Sequence, residues 1–159
     1  MKYIVMATLI LIAGCGEGPK HLSKPDYQHG KEAFEMLEKY ESSDTESYYS
    51  AANEQIHQLS SKALDNGLLQ ALEDYSVALI KRDMTKEMKR YVQLELEQIS
   101  KNTDLSDLAK QSHDINNRSQ DLLPIIKICH DDLAGYFDAT AANTNSCHEQ
   151  LAAFGSKYQ

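Results

Sequence analysis

Apolar residues recur every three or four positions along most of this chain, from about residue 26 to the C-terminus. Helical side chains at i, i+3, i+4 and i+7 share a face, so each unbroken stretch predicts an amphipathic helix. The first covers 26–41, with Ala33, Phe34, Leu37 and Tyr40 on one side, and ends in the polar run ESSDTES. The second, 46–65, carries Tyr49, Ala52, Ile56, Leu59 and Ala63. Asn66-Gly67 stops it, because Gly enters the left-handed conformation that closes helices. The third, 68–81, carries Leu68, Leu72, Tyr75 and Leu79. Arg82-Asp83 either divides it from the next, with Asp83 as N-cap, or lies inside one longer helix.

The fourth stripe holds Met84, Met88, Tyr91, Val92, Leu96 and Ile99. The fifth begins near Asp104 with Leu105, Leu108, Ile115 and Leu122, but also includes Ser112 and Ser119, which predicts partial exposure. Pro124 opens a further helix or kinks a continuous one, with Ile125, Cys129, Leu133, Tyr136 and Ala139 keeping roughly one face. Asn143-Thr144-Asn145 reads as a loop. Ser146 stands three residues before Glu149, a capping-box spacing, and the last stripe is Cys147, Leu151, Phe154 and Tyr158.

No alternating strand pattern appears, and only three Pro and seven Gly interrupt 159 residues. The fold class expected is all-α: one compact bundle of about six helices over 26–159, with short loops and antiparallel neighbours. The Met and Tyr residues of the stripes are expected in its core. The stretch Ala71 to Leu79 is similar to the second helix of a tetratricopeptide repeat, but no matching first helix precedes it, so no repeat array is expected.

The N-terminus has a different pattern. MKYIVMATLILIAGCGEG has one charge, Lys2, then an apolar run of about ten residues, too short to span a bilayer and suited to a secretory leader. The tetrad Ile12-Ala13-Gly14-Cys15 resembles the lipobox of bacterial lipoproteins. That resemblance implies cleavage after residue 14 and diacylation of Cys15, often with a third acyl chain such as palmitate on its amine. Gly16 rather than Asp after the Cys resembles the outer-membrane default, facing the periplasm. The organisation expected is a leader over 1–14, a lipidated Cys and flexible tether over 15–25, and the helical domain from 26. The lipid bilayer is thus the first partner, held through acyl chains.

Two cysteines remain, Cys129 and Cys147, each on the apolar stripe of consecutive helices. An even pair in an exported chain points to a disulfide joining the last two helices. The rival reading is a zinc-type set, because His130 and His148 follow them. Adjacent helical residues diverge by about 100°, and the usual ligand spacing is missing, which favours the disulfide.

Beyond the leader, 15 Lys and Arg face 24 Asp and Glu, a balance unsuited to nucleic acid, so no nucleic-acid partner is expected. No phosphate loop, nucleophile elbow, His-Glu-x-x-His or heme-attachment motif is present, and no cofactor is expected. His113-Asp114 and His130-Asp131-Asp132 are the best acid–base candidates, though a surface His beside Asp is usually only solvated. The chain is read as a non-enzyme. The run Ala142 to Cys147, followed by Leu151-Ala152-Ala153, is somewhat similar to the C-terminal part of entry-exclusion lipoproteins of conjugative plasmids. That similarity implies blocking of an incoming machine or toxin through protein contact. The alternative is an accessory lipoprotein that scaffolds an envelope secretion or pilus assembly.

Overall fold

A computed structural model describes residues 22–98, 105–138 and 146–158. The leader, Cys15, Ile99 and the Asn143-Thr144-Asn145 loop lie outside the described residues. Six helices and no strand occur among those described: α1 (Lys24–Ser43), α2 (Glu46–Ile56), α3 (Ser61–Asp65), α4 (Leu68–Gln98), α5 (Ser106–Ala134) and α6 (Ser146–Lys157). The all-α expectation holds, and the disulfide between Cys129 and Cys147 joins the last two helices.

Helix α1 begins earlier than its stripe suggests. The Ser23 side chain caps it by accepting from the Asp26 N–H at 3.2 Å, and Pro25 sits in the first turn, where its missing N–H costs nothing. Leu22 packs against the core. Residues 22–25 therefore belong to the folded body rather than to a tether. Ala33, Phe34, Leu37 and Tyr40 are all buried, as the period requires. Asp44 closes α1 in the left-handed region, φ 53°, with its N–H on Tyr40 O.

The second stripe does not form one helix. Asp26 is the reason. Its carboxylate accepts the Ser60 N–H at 2.9 Å and the Ser60 hydroxyl at 2.7 Å. A continued helix would direct that N–H to Ile56, four residues back. Helix α2 ends at Ile56 instead, and α3 restarts after Ser60. Gly67 then turns the chain at φ 77°, as its position after Asn66 predicts.

The third and fourth stripes are one helix, and so are the fifth and sixth. Arg82 and Asp83 do not break α4, because both side chains face the end of α1. Arg82 donates to Glu41 O at 2.8 Å and to Asp44 at 2.6 Å, serving carbonyl and carboxylate groups that the end of α1 leaves without helical partners. Asp83 accepts from the Tyr40 hydroxyl and from Arg82 Nε at 2.9 Å, so it is no N-cap. Pro124 lies inside α5, exposed on its outer side.

The core fills the space among α1, α4, α5 and α6. Leu37, Leu72, Tyr75, Leu79, Cys129 and Leu133 are its inaccessible centre. It ends at Leu79 on α4 and at Leu122 on α5. Past those points α4 runs on and α5 pairs with it for 16 residues, about 24 Å, with little but each other to pack against among the described residues. Only Thr85, Val92 and Ile115 are buried along that length. The fourth stripe is therefore not core. Met84 is 61%, Met88 41%, Tyr91 64% and Leu96 40% exposed. The polar fifth stripe is partly exposed, as its serines predict.

Candidate interaction surface on the long hairpin

The predicted site residues fall into three places. Cys15 lies outside the described residues. Cys129 and Cys147 are bonded, with Cα atoms 4.6 Å apart, so neither sulfur is a free thiolate. The two histidines that follow them point elsewhere. His130 Nε2 meets Glu38 at 3.0 Å on α1, while its ring lies against Phe34 and Tyr75. His148 Nδ1 meets Asp74 at 3.1 Å on α4. The four do not converge as a metal site, and among the described residues no group of three or more His, Cys, Asp or Glu side chains does so.

The acid–base candidates are also dispersed. His113 is exposed on the outer part of α5. Asp131 is held by Lys127, whose hydrogen bond keeps its carboxyl below the ordinary range. Asp132 is buried and accepts the Cys147 N–H at 2.8 Å. A carboxylate there satisfies an orphan donor at the start of α6 and complements its dipole. Asp132 is thus a helix cap, a role its place beside His130 did not reveal.

A denser charged cluster joins the C-terminal end of α1 to α4. Burial first, and then the Asp83 carboxylate, push the Tyr40 phenol well above its usual range. Burial and Glu41 do the same to Tyr75. The Lys86 ammonium and the Arg82 guanidinium hold Asp44 below its ordinary value, against the partial burial that opposes them. Glu41, Asp44 and Asp83 each already carry a cation or hydroxyl, so the cluster works as a clasp between helices.

A cleft of about 470 Å³ with a mainly apolar lining opens on the outer hairpin. Met88, Tyr91, Val92 and Leu94 of α4 and Ile115 of α5 make its apolar surface. Glu87, Arg90, Gln111, Asp114 and Arg118 form its polar rim. The cleft continues the valley in which α6 already lies. Down that valley α6 touches α4 through His148–Asp74 and through Phe154, whose ring lies 5.8 Å from Lys81 Nζ. At its end Tyr158 donates to Asp121 at 2.6 Å and stacks under Arg118, 4.9 Å from ring centre to guanidinium. Arg118 stands at the boundary, with one side on Tyr158 and one in the cleft. Its Nε is buried without a hydrogen-bond partner among the described residues.

The period of the α4 stripe placed Met88, Tyr91 and Val92 on one face, but could not show that, among the described residues, Met88 and Tyr91 stay exposed while Val92 is buried. No helix among the described residues is long and apolar enough to cross a membrane. No protein-family model, no curated protein and no solved structure matches this chain.

Proposed function

We propose that this protein is a lipid-anchored lipoprotein of the bacterial envelope that acts by protein contact, docking a helix on the outer half of its long hairpin. The open cleft between α4 and α5 carries this reading: Met88, Tyr91 and Leu94 at helical spacing, exposed among the described residues, beside a valley that already holds one helix. The lipobox-like tetrad ending at Cys15 supports the anchor, and Gly16 rather than Asp after it supports an outer-membrane site facing the periplasm. The similarity near Cys147 to entry-exclusion lipoproteins supports a role in blocking an incoming machine or toxin. Envelope scaffolding is the second outcome the same surface would serve.

Two measurements test it. Palmitate labelling should mark the wild type and not Cys15→Ser, which should also leave the membrane fraction; equal labelling of both overturns the anchor. Tyr91→Glu and Leu94→Glu should lose protection in a donor–recipient mating or toxin challenge while melting like the wild type. Both side chains are exposed, so their replacement leaves the core intact. Protection equal to wild type in both variants overturns the cleft as the working surface.

A further inference from the structure

We infer that the helix received by the cleft is α4 of a second copy of this chain, so that two hairpins pair side by side as a four-helix bundle. The inference rests on the reading of the cleft as a helix-docking surface. Three observations lead to it.

The first is the way the valley is already filled. Helix α6 occupies its inner half with aromatic residues four apart, Phe154 and Tyr158, each against a cation of the wall, Lys81 and Arg118. A second occupant must be a helix with apolar residues at the same spacing. The stripe Met84, Met88, Tyr91, Leu94 runs at three- and four-residue helical spacing and is exposed among the described residues. Each copy thus carries both the cleft and a helix of the kind that fills it, the self-complementarity that a two-fold interface requires.

The second is charge. The chain carries a net −8, and two copies repel over most of their surface. Residues 84–118 hold six basic and six acidic side chains, so this stretch alone accounts for none of the excess. The hairpin is where a second copy approaches without net repulsion.

The third is the order of charges on the rim. Glu87 and Arg90 stand one turn apart on α4, and Asp114 and Arg118 one turn apart on α5. A two-fold axis along the hairpin sets α4 of each copy antiparallel to α5 of the other. Glu87 then meets the guanidinium side of Arg118 that faces the cleft, and Arg90 meets Asp114, twice over. The opposite polarity brings Glu87 toward Asp114 and Arg90 toward Arg118. The pairing therefore selects one orientation by charge. Within one copy, among the described residues, Arg90 makes an exposed contact to Glu87 at 3.5 Å, which holds it weakly.

The test uses the full chain in cells. A photo-crosslinking amino acid at Tyr91 should give one major adduct at twice the monomer mass, containing only this protein. Arg90→Glu should lower its yield roughly tenfold, Asp114→Arg should do the same, and the two together should restore it. All of these side chains are exposed, and far-UV circular dichroism and melting of each variant should match the wild type. An adduct to another protein, or failure of the double reversal to restore the yield, overturns pairing of copies in this register. If protection is still lost on Leu94→Glu while no homodimer forms, the docking surface stands and its occupant is a different protein. If neither a homodimer nor a loss of protection is seen, both readings fall.

Discussion

Asp26 shows how much one side chain can decide. It is buried, yet it keeps its charge because three hydrogen bonds reach it from Ser23 and Ser60. Burial pushes its pKa up, but those bonds outweigh burial and hold it below the ordinary 3.8. Asp26→Asn replaces one acceptor oxygen by a donor and leaves a Ser group unpaired. The expected loss is about 1–3 kcal/mol in urea unfolding, with no change in helix content. Gly67 is as specific. At φ 77° a side chain is strained, and a Cβ there would stand 2.7 Å from the Tyr136 hydroxyl. Gly67→Ala should lose at least about 1–2 kcal/mol, read as a lower melting temperature. The turn at Gly67 was legible from Asn66-Gly67. The Asp26–Ser60 tie was not, since it spans 34 residues and leaves no periodic trace.

At the scale of elements, the stripes were legible because burial of one face imposes a period. Where helices stop was less so. Arg82-Asp83 and Pro124 look like breaks when read locally. In the fold, contacts to the end of α1 absorb the first pair, and α5 runs through the second. Pro124 still withholds one N–H from Gln120, four residues back. Because it is exposed, Pro124→Ala should raise stability, by up to about 3 kcal/mol, in the same unfolding assay. Exposure of the outer stripe was not legible either. A period tells which residues share a face, and only the other elements tell whether that face is covered. The disulfide was legible from cysteine parity and from the place of both residues on the apolar stripes of consecutive helices. It closes a loop of 18 residues, so Cys129→Ser with Cys147→Ser should cost about 3 kcal/mol and raise amide exchange first in α6.

For the whole molecule, the shifted groups set a pH range. Asp26 and Asp44 titrate below 3.8 in the fold. Their stabilisation is complete above 3.8 and is lost as the pH falls through their folded values. Tyr40 and Tyr75 titrate above 10.0 in the fold, so theirs is complete below 10.0 and is lost as the pH rises through the folded values. Unfolding free energy should therefore be flat across the neutral range and fall at both extremes. Asp44→Asn should soften the acid limb, and Tyr40→Phe the alkaline one. A maximum confined near pH 5 would contradict this assignment.

The bond between Cys129 and Cys147 pins α6 at its first turn. Breaking it would leave α6 held by the Asp132 cap at its start, by Leu151 and Phe154 in the core and by Tyr158 at its end. Reduction should therefore loosen the occupant of the inner valley without releasing it.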